Sequence, residues 1–272
     1  DGRVFLAGDA AHMTPQFVGQ GMNAGVRDAY NLAWKLDAAL KGQAGDRLLD
    51  SYQSERRPHA KAMIDLSIHM KNFVSTANPL LSSLRNVATR TARRTPGLRE
   101  FLSEAKFKPR PRYEAGAYFG LPRQRRNGLE GEQLPQPTLA DRECRPLLLD
   151  EALGEGYALI GFAVDPRQSL SAADLQQLAQ LNTRYLTLYP AGGRPQGKAA
   201  ASTPAGLSEW EDMSGECIRR FREAGYAEGA VAIVRPDRFV FAMARPGSAP
   251  AAVHSLLEQL GLQTATRQQE AS

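Results

Sequence analysis

Hydrophobic and polar positions divide the chain into two stretches with different periods. Residues 4–7 form a short apolar run closed by Gly8, as expected of a buried parallel strand. Met22, Val26, Ala29, Ala33, Leu36 and Leu40 then recur every three or four positions. They predict a helix with one apolar stripe, stopped near Gly42. A second helix is expected from about Asp46, with Leu48, Leu49 and Tyr52 turned inward. Pro58 lacks a backbone N–H and predicts a break or kink there, after which Ala60, Met63, Ile64 and Ile68 resume the period. Residues 75–112 read as Arg-rich helix and loop, and residues 113–140 as a Gly- and Pro-punctuated linker.

The second stretch has apolar runs of strand length. "YALIGFAV" (157–164), "RYLTLYP" (184–190), "AVAIVRP" (230–236) and "RFVFAMA" (238–244) read as strands, and 171–181, 214–224 and 249–260 as helices. The order β-α-β-α-β-β-α resembles a thioredoxin-like fold, placed at 141–265 before a loose tail at 266–272. No CxxC is present, so thiol–disulfide exchange is not expected. The fold class is therefore α/β (α+β): a first domain over 1–112, the linker, and this second domain.

Composition adds bounds. The 272 residues are 42% hydrophobic and 23% charged, as in soluble globular proteins. No apolar run approaches the roughly 20 residues of a membrane span. Two distant cysteines, Cys144 and Cys217, favour a cytoplasmic chain with free thiols. The net charge of +5 is uneven: residues 85–126 hold twelve Lys or Arg against three Glu. No nucleic-acid module accompanies that excess, so a solvated face or a contact for acidic neighbours is preferred to polyanion binding. His59, His69 and His254 are dispersed, and no metal site is expected.

Chemistry concentrates in "GDAAHMTPQFVGQGMNAG" (8–25). Asp9 follows the presumed strand, where open α/β sheets place ligands, and a carboxylate there suits ligand hydroxyls. Gly19 and Gly21 allow an unusual turn directly before a helix whose first amides lack intrahelical partners. That helix end carries partial positive charge and favours an electron-rich group at Met22 and Asn23. A purely structural turn is the alternative. The glycine spacing is one residue too long for GxGxxG, and glycines alone are weak evidence.

The larger pattern is more specific. "GRVFLAGDAAH" (2–12), Pro15, "GQGMNAGVRDAYNLAWKL" (19–36) and "LLDSYQSERRPHAKAMIDLS" (48–67) resemble the FAD-dependent aromatic hydroxylases. "FKPRPRY" (107–113) and "VRPDRFV" (234–240) extend the resemblance. It implies an FAD site formed by Phe5, Leu6, Ala7, Gly8, Asp9, Ala10, Ala11, His12, Pro15, Gly19, Gln20, Gly21, Met22 and Asn23, with Asp9 on the ribityl hydroxyls. Gln16, Phe17 and Val18 would line the substrate pocket. His12 is expected to make a structural hydrogen bond rather than to act in catalysis, and no catalytic base is assigned.

The resemblance also implies a reaction. NADH or NADPH reduces FAD, and the reduced flavin activates O2 to hydroxylate a phenolic acid such as 3-(3-hydroxyphenyl)propionate ortho to its hydroxyl, giving a catechol. Another phenol, a hydroxybenzoate or a polyketide aromatic is the alternative substrate. A non-catalytic thioredoxin-like dimerisation or interaction module is the reading of another class. Family members carry an ADP-binding GxGxxG unit upstream, so this chain is expected to be a C-terminal portion that binds FAD weakly alone. Self-association as a homodimer is left open, and neither nucleic acid nor membrane is expected as a partner.

Overall fold

The computed structural model describes residues 4–16, 19–103, 111–121, 128–195 and 205–262. The chain forms two compact units: Asp1–Asn31 with Glu55–Pro111, and Leu32–Ser54 with Arg112–Ser272. The second unit thus takes residues 32–54, which the sequence reading assigned to the first domain.

The first unit is helical. Residues 4–7 are not the expected buried strand: they form no β element, and Val4 and Leu6 are exposed. A strand needs a neighbour to take its backbone hydrogen bonds, and no strand lies in this unit among the described residues. A single 3-10 turn, Gly8–Ala10, follows. Helix α1 (Gly21–Leu40) starts where expected, but its buried face is a different one. Met22 is 80% exposed, Val26 62% and Leu40 87%, whereas Ala24, Asp28, Asn31, Leu32 and Lys35 are buried. The buried polar residues are tolerated because each is paired. Asp28 meets Arg56, Asn31 donates to Glu55 (2.7 Å), and Lys35 donates to Ser51 (2.7 Å).

Helix α2 (Asp46–Val74) runs without a break through Pro58. The carbonyl four residues back belongs to exposed Ser54, so water can replace the missing N–H. Helix α3 (Pro79–Arg94) is capped by Asn78, whose side chain accepts from the amides of Leu80 and Leu81. Helix α4 (Pro96–Ser103) follows it.

The second unit is built on one seven-stranded mixed sheet. The strands are β1 (Thr138–Ala140), β2 (Pro146–Leu148), β3 (Ala158–Phe162), β4 (Arg184–Pro190), β5 (Leu207–Asp212), β6 (Val231–Val234) and β7 (Val240–Ala244), in the order β2-β1-β5-β4-β3-β6-β7. β3, β4 and β5 pair in parallel, and β6 is antiparallel to both β3 and β7. The four strands read from the sequence are β3, β4, β6 and β7, and they form the thioredoxin-like core. β1, β2 and β5 add to it. The first two are only three residues long, and β5 carries acids at Glu209, Glu211 and Asp212, so none shows an apolar run of ordinary strand length.

All of β3 is buried, and its side chains alternate between two cores. Ile160 and Phe162 pack with Leu153 of helix α5 (Leu149–Leu153) and with Ile218 and Phe221 of α7 (Glu216–Glu223). Leu159 packs on the other face with Leu178 of α6 (Ala172–Gln180) and with Val253 and Leu257 of α8 (Ala249–Gln259). The described part of 113–140, expected as a connection, is tied to this unit: Tyr113 stacks on Phe239 with ring centres 4.4 Å apart, and Leu129 and Leu134 are buried.

Candidate functional site

Three groups of the first unit converge on one buried carboxylate. Asp28, on the second turn of α1, accepts the Gly8 amide at 3.0 Å and meets His12 Nε2 at 2.6 Å through Oδ2. Its Oδ1 accepts from Arg56 Nε at 2.6 Å. The Arg56 guanidinium also donates to the Ala24 carbonyl at 3.2 Å. Asp28 and Arg56 are almost fully buried, which makes each dependent on the other. Of the charged run Glu55, Arg56 and Arg57, the first two are buried and only Arg57 is exposed.

This hub pins the turn that bears Asp9. The Ala11 and His12 amides both donate to the Gly8 carbonyl, closing a tight loop with Gly8 at φ +57°. A Cβ on Gly25 would lie 3.2 Å from the Gly8 Cα, so the turn rides directly on α1. Asp9 itself is exposed and has no hydrogen bond or ion pair among the described residues. Ala10, Ala11 and Leu6 are exposed too, while Phe5 and Ala7 are half-buried.

The second part of the predicted site is the start of α1. Gly19 (φ +60°) donates to the Gln16 carbonyl, and among the described residues no atom lies within 4 Å of the position its Cβ would take. Ala24 N–H bonds to Gln20 O, so the amides of Gly21, Met22 and Asn23 precede the first intrahelical bond. Met22 and Asn23 are exposed, and Gln20 Oε1 accepts from the Asn23 amide group at 3.5 Å. Pro15 is half-buried and Gln16 exposed; Phe17 and Val18 lie outside the described residues.

These residues fit the ring and sugar-alcohol arm of a flavin. Asp9 is a free acceptor, the glycine turn leaves space, and the helix start offers amides. Two buried polar atoms of the same loop, His12 Nδ1 and Thr14 Oγ1, have no partner among the described residues.

Comparison with known proteins points to the same cofactor. Residues 1–67 match the FAD binding domain family, and residues 131–259 match the HcaD C-terminal domain family. A 3-(3-hydroxy-phenyl)propionate/3-hydroxycinnamic acid hydroxylase of Klebsiella pneumoniae (strain 342) is 36% identical over 264 residues, covering 96% of this chain and 46% of that protein. A hydroxylase of the same name from Mycobacterium sp. (strain JLS) is 43% identical over 189 residues, 70% of this chain and 33% of that one. Over both matched segments the chain is similar to FAD-dependent aromatic hydroxylases.

The hydroxylase fold is shared more widely. The flavin-dependent monooxygenase PieE, solved with FAD and substrate, superposes with a TM-score of 0.66 at 22% identity, over 97% of this chain and 48% of that one. Aklavinone-11 hydroxylase, solved with FAD and aklavinone, gives 0.61 at 24%, over 96% and 44%. The chain spans about half the length of the hydroxylases it matches, or less.

Sequence reasoning missed Asp28 and Arg56, which organise the site without belonging to the glycine turn. The available signal was positional: Asp28, Asn31 and Lys35 share one helical face, and no apolar stripe accounts for them.

Cys217 is buried in the sheet core, and burial, with Asp212 and Glu216 nearby, pushes its thiol well above the usual range. Among the described residues no helix is long and apolar enough to cross a membrane.

Proposed function

We propose that this chain forms the ring-binding wall of a cytoplasmic FAD-dependent, NAD(P)H-using monooxygenase. The reaction would hydroxylate a phenolic acid such as 3-(3-hydroxyphenyl)propionate ortho to its hydroxyl, giving a catechol, with O2 as co-substrate, in aromatic degradation. The observation that carries the reading is the exposed, unpaired Asp9, fixed through Gly8 to the Asp28 hub at the head of α1. The substrate class is supported by the names of the relatives at 36% and 43% identity. Two free thiols, one exposed and one buried, agree with a reducing compartment.

Bound FAD would supply electron transfer from NAD(P)H and oxygen activation. The protein's share is binding and field. Asp9 would accept the ribityl hydroxyls, with residues 5–8, Ala10, Ala11 and His12 as the adjoining wall. Pro15, Gly19, Gln20 and Gly21 would border the ring, and the Met22 and Asn23 amides would stabilise negative charge at its edge. Gln16, Phe17 and Val18 would face the aromatic substrate and exclude water.

Flavin titration tests the cofactor part. Riboflavin, which keeps the ring and ribityl arm, is expected to bind this chain about as tightly as FAD, and Asp9→Ala to weaken both about tenfold. Unchanged affinity in Asp9→Ala, or no flavin binding, would overturn the placement. Product chromatography with 3-(3-hydroxyphenyl)propionate and each nicotinamide tests the reaction. A product other than the ortho catechol would remove it.

A further inference from the structure

Helix α3 of the first unit carries an apolar face that the described residues leave uncovered. Ala92 is its one buried residue. Leu80, Leu84 and Val87 recur every four and three positions, and Leu81 and Ala88 widen the stripe. Leu80 is 81% exposed, Leu84 66%, Val87 60% and Leu81 54%. Phe73 and Val74, at the end of α2, are exposed as well. Arg85 ties the two helices together by donating to the Phe73 and Val74 carbonyls at 3.4 and 2.7 Å. Single exposed apolar residues are ordinary, but a contiguous stripe marks an interaction surface.

The charge around this stripe has one sign. From Leu66 to Arg99 the chain holds no Asp or Glu, against Lys71, Arg85, Arg90, Arg93, Arg94 and Arg99. Around the helix, Arg85 and Arg94 border the apolar stripe, and Arg90 and Arg93 lie across from it. An anionic partner is the complement. The surface is a convex helix rather than a groove, so it offers little shape for a folded protein to match. A lipid headgroup layer needs no matching shape, and Arg side chains reach its phosphates while the apolar residues sink below them.

We propose that α3, with the end of α2, lies flat on an anionic lipid surface. Leu80, Leu84 and Val87 enter the headgroup boundary, and Arg90 and Arg94 meet lipid phosphates. This is a surface contact and not a span, since no described helix is long and apolar enough to cross a membrane. It uses no residue of the flavin wall and does not depend on the flavin reading.

Co-sedimentation of the whole chain with phosphatidylcholine vesicles, with and without about 30% phosphatidylglycerol, tests it. Saturable binding is expected for the anionic vesicles alone. Leu84→Ser should weaken it about tenfold, and Arg90→Gln with Arg94→Gln about thirtyfold. All three side chains are exposed, so far-ultraviolet circular dichroism should stay unchanged. Bound vesicles should slow amide exchange at residues 79–94. The proposal is overturned if the anionic vesicles leave the chain in solution. It is also overturned if Leu84→Ser binds like the wild type, which would reduce the surface to a bare polyanion contact. Binding to poly-glutamate without binding to vesicles would assign the face to an acidic protein and overturn it too.

Discussion

The two units are held together by different forces at the places that matter to each. In the first, the turn bearing Asp9 is fixed by one carboxylate, Asp28, with a guanidinium, an imidazole and an amide around it. In the second, β3 is buried along its whole length, and apolar side chains fill both faces of the sheet. A polar hub sets the direction of a turn more sharply than apolar packing does, but it fails when one partner is lost. Apolar packing degrades gradually and is indifferent to pH.

Asp28→Ala should break this contrast most strongly. Removing the carboxylate strands Arg56 in the interior at a cost of about 3–5 kcal/mol. Amide exchange at residues 8–12 should accelerate while that of β3 stays slow, as read by hydrogen-exchange mass spectrometry. The counterpart is Leu186→Ala, at a fully buried position of β4, expected to cost about 2–5 kcal/mol in the sheet unit. Its calorimetric transition should shift without loss of protection at residues 8–12.

A smaller effect sharpens the electrostatic half. His59 is buried with neither ring nitrogen partnered among the described residues. Burial, then the charges of Arg56 and Arg27, lowers its pKa from 6.5 to about 4. The unfolded chain takes up a proton at higher pH than the folded one. Stability is therefore complete above pH 6.5 and falls as pH drops toward 4. The loss should be on the order of 1–2 kcal/mol after solvent screening, and His59→Leu should flatten the denaturation-midpoint profile over that window. The smallest effect is expected at Lys41 and Asp37, both more than half exposed. Asp37→Ala should change stability by no more than about 0.5 kcal/mol by urea titration.

The same contrast explains what could be read in the sequence. β3, β4, β6, β7 and the helices among them were legible because their burial follows from apolar runs. The tight turn at Gly8 and the start of α1 at Gly21 were legible because glycines mark them. The buried face of α1 was not, because Asp28, Asn31 and Lys35 are stabilised inside by partners on α2 that no periodicity encodes. Residues 4–7 looked like a strand because an apolar run does not say whether a neighbouring strand is present. β5 was hidden by its acids, although one of them, Asp212, is buried and caps α7 by accepting from the Ile218 amide at 3.1 Å.

Amide hydrogen exchange with and without riboflavin tests the central claim most directly. If the Asp28-pinned turn and the α1 start form the flavin wall, new protection should appear at residues 8–12 and 19–24 and nowhere in the sheet unit. Protection confined to the sheet unit, or bound riboflavin that leaves both segments unchanged, would contradict it.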